Sequence, residues 1–170
     1  MDQNDKVLTT LFIDTAAADP FLALVDVCPA GQSGNTVLVK IPRERCAELL
    51  PSLLRSLLNE AGAPLPIVPD LIVVCTGPGS WTGLRLGITA TKVLAWTRQI
   101  PVIGISREMA ESGPMEQEQP DLETRLAFLI AAAKERLQGR QYDDPFLLKP
   151  LYEKEPNIII SSRVQTDNIR

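Results

Sequence analysis

Thr76-Gly77-Pro78-Gly79-Ser80-Trp81-Thr82-Gly83-Leu84-Arg85-Leu86-Gly87 lies between an apolar run, Leu71 to Cys75, and a long amphipathic segment that continues to about Arg98. Five consecutive apolar residues read as a buried strand, and the change to helical spacing after a glycine turn reads as strand, tight turn, helix. That unit commits the chain to an α/β architecture. Ser80 or Thr82 can cap the helix, and the free amides of a first helical turn suit an anion. Gly79, Ser80, Thr82 and Arg85 are therefore the expected nucleotide or anion contacts, with a solvated arginine the equally natural reading of Arg85. No Gly-Lys-Ser/Thr follows at Walker spacing, so this is not a P-loop.

The flanking sequence extends the pattern. Val7 to Ile13 and Phe21 to Cys28 read as strands joined by the turn Ala18-Asp19-Pro20, and Asn35 to Ile41 reads as a third. Short connections favour antiparallel neighbours. From Arg43 to Ala61 the leucines follow helical spacing along a broad stripe, with Pro51 inside expected to bend or restart the helix and Gly62 to end it. After Pro64 to Pro69 come the strand and helix already described, then a strand over Val102 to Ile105. A polar segment at 107–121 predicts a linker, Leu122 to Gln138 a helix ending at Gly139, and Phe146 to Tyr152 a short strand or extended arm. The domain organisation expected is 1–106 as the main domain, 107–121 as linker, 122–155 as helix and arm, and 156–170 as a tail, in which Ile158-Ile159-Ile160 could pair on a sheet edge.

Composition excludes several kinds of chemistry. The 170 residues include no histidine, which removes Ser-His-Asp triads, Cys-His pairs and histidine metal centres. A net charge of −4 without a dense basic run argues against autonomous nucleic-acid binding. The three cysteines, Cys28, Cys46 and Cys75, are widely spaced in apolar segments and read as reduced core thiols. No run of about 20 apolar residues is present and the opening is unlike a signal peptide, so no membrane association and a cytoplasmic location are expected.

Four motifs in order carry a family resemblance: Ile13-Asp14-Thr15, Leu49-Leu50-Pro51, Gly77 to Arg85, and Ile100-Pro101-Val102-Ile103-Gly104-Ile105-Ser106. Together they resemble the TsaB family, bacterial proteins that support synthesis of threonylcarbamoyladenosine in transfer RNA; Trp81 stands where the family has phenylalanine. Leu148-Lys149-Pro150-Leu151-Tyr152 is similar to the family's C-terminal Pro-Leu-Tyr-Leu-Arg, with Glu153-Lys154 replacing Leu-Arg. The resemblance implies a ribonuclease-H-like, actin-like (ASKHA) mixed sheet flanked by helices. It also implies a reduced C-terminal lobe, since the family's Asp-Ala-Arg-Arg…Glu-Val-Tyr strand has no counterpart here. Arg45 replaces a frequent family histidine, and Ala16-Ala17-Ala18 replaces hydroxyl residues that follow Asp-Thr in the family.

The resemblance further implies a non-catalytic scaffold, with no cofactor, that binds a TsaD-type transferase in an assembly including a TsaE-type ATPase. A homodimer is the other expected association, and contact with transfer RNA is indirect. The TsaD-type transferases hold their metal with histidines, which this chain lacks. In TsaB proteins the Leu-Leu-Pro helix and the helix after the glycine turn form the contact, so Leu50, Leu54, Leu57, Gly83, Gly87, Ala90, Thr91 and Leu94 are the expected partner-binding residues. Packing of those small residues on the chain's own sheet is the competing reading. Asp14 ends an apolar strand where actin-like ATPases place a magnesium-associated carboxylate; it is either a nucleotide contact or a structural turn cap. The alternative functions are a residual actin-like ATPase or phosphotransferase, and a self-associating structural protein.

Overall fold

A computed structural model describes residues 6–59, 67–107 and 120–152. Most of the expected linker, the expected tail with Ile158 to Ile160, and Gly62 lie outside the described residues. Among the described residues the strands are β1 (Leu8–Asp14), β2 (Phe21–Val27), β3 (Thr36–Lys40), β4 (Leu71–Gly77) and β5 (Val102–Ser106). They form one sheet in the order β3-β2-β1-β4-β5. β1 to β3 pair antiparallel, as their short connections require, while β4 lies parallel to β1 and β5 parallel to β4. The helices are α1 (Cys46–Asn59), α2 (Trp81–Arg98) and α3 (Leu122–Gln138).

The strand pleat explains the layers. Side chains alternate across a strand, so Leu11 and Ile13 of β1 join a core with α1 and α2, whereas Phe12 joins a core with α3. β4 repeats this, with Ile72 and Val74 on the first face and Leu71 and Val73 on the second. The central strands are buried on both faces, which is why they read as continuous apolar runs rather than as alternation. Two helices on one face and one on the other complete an α/β/α sandwich.

α1 passes through Pro51 as one helix and is entered through a 3-10 turn at Arg43–Arg45; the expected restart does not occur. The residue four before Pro51 is Ala47, whose carbonyl loses its usual donor, and Pro51 faces solvent, where water can replace that bond. Leu50, Leu54 and Leu57 point inward and are buried in the sheet core. In the chain alone they attach α1 to its own sheet. Phe146 to Tyr152 forms no strand, although Asp143 makes an isolated antiparallel bridge to Val102.

Leu54→Ala should lower unfolding stability by about 2–5 kcal/mol, the usual cost of emptying a buried leucine site. Urea denaturation followed by circular dichroism would measure it.

Candidate functional site

The expected site gathers at the C-terminal ends of β1 and β4, and it is built on close backbone approach. Ser80 N donates to Ala16 O at 2.8 Å, tying the turn after β4 to the turn after β1. A Cβ at Gly79 would lie 2.7 Å from Ala16 O, and one at Gly83 would strike Thr15 O. Thr15 Oγ1 in turn donates to Gly83 O at 2.6 Å. Gly83 and Gly87 therefore let α2 settle onto the end of β1, and Thr91 is buried along the same line. At Gly83 and Gly87 the space that a seam with another helix would use is taken by the chain's own Ile13, Thr15 and Ala16.

Ser80 is the N-cap of α2, its Oγ accepting from Gly83 N at 3.3 Å. Thr82 is exposed and makes no cap. Arg85 reaches back to Trp81, the first residue of α2. Its guanidinium lies 4.5 Å over the Trp81 ring, and its Nε donates to Tyr152 Oη at 3.1 Å. Tyr152 stacks on Trp81 with ring centroids 3.7 Å apart. Leu151 N donates to Thr76 O at 2.7 Å, and the residue held there is positive-φ Gly77, whose missing side chain leaves room for Leu151 O. The C-terminal arm thus lies against both ends of the glycine turn, at Thr76 and Gly77 and at Trp81.

Asp14 is buried on the α3 side of the sheet, where the pleat sends it together with Phe12. Its Oδ1 lies 3.4 Å from Arg107 Nη2 and accepts from Ala16 N at 3.2 Å; its Oδ2 lies 3.7 Å from Arg125 Nε. The Ala16 bond is the turn-capping role; the two guanidiniums were not expected. Arg125 had a detectable signal in the sequence, because it occupies the apolar stripe of α3 formed by Leu122, Leu126, Leu129 and Ala133. Nearby, Arg107 Nε donates to Cys75 Sγ at 3.3 Å. Burial pushes the Cys75 thiol upward, the Asp14 charge adds to that rise, and Arg107 opposes it. Cys46 is raised by burial as well.

A second feature lies on the opposite face. Between α1 and α2 is an open apolar groove of about 620 Å³, floored by Leu50, Leu54 and Ile72 and walled by Leu86, Ala90 and Leu94. Ala90 and Leu94 are half-buried in its wall. Val68 and Val93 stand at its rim, 51% and 55% exposed, and Trp96 is 61% exposed on α2 nearby. The sequence reading missed Val68, Val93 and Trp96, whose signal was an apolar residue on the outer side of an otherwise satisfied helix or turn.

Residues 40–136 match the family described as TsaD: tRNA N6-adenosine threonylcarbamoyltransferase, which is more than half of the chain. The chain is 34% identical over 104 residues to the tRNA threonylcarbamoyladenosine biosynthesis protein TsaB of Bacillus subtilis (strain 168), covering 58% of this chain and 41% of that protein. It is 35% identical over 68 residues to TsaB of Escherichia coli (strain K12), covering 40% of this chain and 29% of that protein. The chain belongs to the TsaB family. It spans less than half the length of the TsaB proteins it matches. YeaZ from Pseudomonas aeruginosa has the same fold, with a TM-score of 0.58 at 20% identity over 84% of this chain and 100% of that one. RuvC from Thermus thermophilus also shares the fold, with a TM-score of 0.50 at 16% identity over 84% of this chain and 99% of that one. The ribonuclease-H-like, actin-like class expected from the TsaB resemblance is therefore the observed one. Among the described residues no helix is long and apolar enough to cross a membrane.

Two outcomes follow from the site geometry. Ser80→Ala should cost about 1 kcal/mol through loss of the α2 cap, measurable by thermal unfolding. Thiol labelling of the native protein near neutral pH should modify half-buried Cys28 first, with Cys46 and Cys75 protected by burial until unfolding; mass spectrometry of the labelled peptides would show the order.

Proposed function

We propose that this chain acts in tRNA threonylcarbamoyladenosine biosynthesis as a non-catalytic scaffold that presents its α1–α2 face to a TsaD-type transferase. The observation that carries the proposal is the apolar groove between those helices, with Val68 and Val93 exposed at its rim. An apolar depression with large hydrophobic side chains at its margin gains free energy when a partner removes it from water. The TsaB relatives, named for this biosynthesis, supply the process, and the transferase partner is the one that the family resemblance implies.

In this reading Ala90, Leu94 and Val93 make contact, while Leu50 and Leu54 act beneath them by shaping the groove floor. Gly83 and Gly87 contribute indirectly by fixing the position of α2. A TsaE-type ATPase joins the larger assembly, transfer RNA is met through the transferase, and the setting is the cytoplasm. The domain division at 107–121 belongs to the same proposal. A non-catalytic role agrees with the absence of histidine and with an Asp14 carboxylate already engaged by two arginines.

The test is light scattering after size exclusion on this chain alone and mixed with a TsaD-type transferase. A heterocomplex is expected, weakened at least tenfold by Val93→Glu, equivalent to about 1.4 kcal/mol, with an unchanged circular dichroism spectrum. Gly87→Leu is a poor probe because it would force α2 off β1. A chain that remains separate from the transferase, or pairs only with itself, would overturn the scaffold assignment.

A further inference from the structure

We infer that Arg125, assisted by Arg107, is the resident cation of Asp14, so that α3 itself fills the place where the actin-like architecture would hold a metal-bound nucleotide. The residues present do not fit a hydrated divalent cation. Magnesium requires about six oxygen ligands at roughly 2.0–2.1 Å, with one or two carboxylates and room for water. Asp14 is 1% exposed, and its two oxygens already face Arg107 at 3.4 Å and Arg125 at 3.7 Å. Among the described residues no group of three or more metal-binding side chains gathers anywhere.

Arg125 is itself built in. It is 3% exposed, with Nη1 2.9 Å from Asp19 Oδ1, Nη2 donating to Asp19 O at 2.7 Å, and its guanidinium 5.6 Å over the Phe21 ring. The guanidinium therefore lies between the carboxylate at the end of β1 and Asp19 of the β1–β2 turn, pairing with the Asp19 carboxylate and donating to its carbonyl. The place for phosphates is closed as well. An anion would have to enter between the β1–β2 turn and the glycine turn, where Ser80 N already donates to Ala16 O at 2.8 Å and Gly79 packs against Ala16. Among the described residues of the cluster, two carboxylates face two guanidiniums. In place of cofactor chemistry, the cluster pins α3 to the sheet.

This inference stands apart from the transferase reading, and its readouts are metal binding and stability of the chain alone. Isothermal titration of the wild-type chain with Mn²⁺, Mg²⁺ and MgATP should show no saturable binding, and thermal unfolding should be unmoved by them. Arg125→Met and Asp14→Asn should each lower the melting temperature by roughly 10 °C, because each strands a buried charge. The double variant should lose clearly less than the sum of the two, as expected for groups in direct contact. Asp19→Asn, at a half-exposed partner, should lose less than either. Saturable MgATP or Mn²⁺ binding to wild type that Asp14→Asn abolishes would overturn the inference, as would strict additivity in the double variant. If Arg125→Met does not fold, the wild-type titrations still decide.

Discussion

Everything at the functional end of the sheet depends on the backbone contact between the glycine turn and the end of β1. Gly79 and Gly83 lie against the main chain at Thr15 and Ala16, where a side chain would meet atoms that cannot move aside. Because α2 begins at that contact, its axis is set by β1 and its rotation by Thr15 Oγ1 bonding Gly83 O. The rest of α2 then has only one way to lie. One face, with Leu84, Ile88, Thr91 and Ala95, is buried, and another, with Ala90 and Leu94, forms the groove wall. A groove several turns away is thus a consequence of the missing side chains at the turn.

The two faces of the sheet meet different physical demands. On the α1–α2 side the leucines of α1 complete a core, yet the two helices stay far enough apart to leave an apolar opening. On the α3 side, among the described residues, that helix covers the sheet and brings a charge with it. Burial of Arg125 is tolerated only because Asp14 and Asp19 neutralise it and Phe21 provides a ring face. Breaking such a pair is costlier than never having made it, so the cluster specifies where α3 sits more than it adds to overall stability.

The strands and helices were legible because their signals are local. Unbroken apolar runs in β1, β2 and β4, the period change at α1, and Gly139 after α3 can all be read without knowing the neighbours. Leu122–Gln138 coincides with its expected bounds, and the other elements differ by a residue or a few at their ends. The fold class also depended on the order of the motifs. The site was harder to read because its contacts are distant in sequence: Arg125 meets Asp19 across 106 positions, Arg107 meets Asp14 across 93, and Arg85 meets Tyr152 across 67. Periodicity cannot say which acid a buried arginine will find. The small-residue line Gly83, Gly87, Thr91 was visible, but a close approach looks the same in sequence whether the neighbour is another helix or the chain's own strand.

Asp14 shows how one residue type at one topological position can hold opposite meanings. At the end of a central strand, a carboxylate facing open space invites a cation from solution. Here the pleat aims it at α3, and the helix delivers guanidinium to the same place. The outcome depends on what the opposing layer contributes, and in that layer Arg125 stands among leucines. A charged residue within an apolar helical stripe is costly unless its partner is already positioned. Its presence in α3 is therefore information about β1, and the two elements are best read as one ionic unit divided between distant parts of the chain.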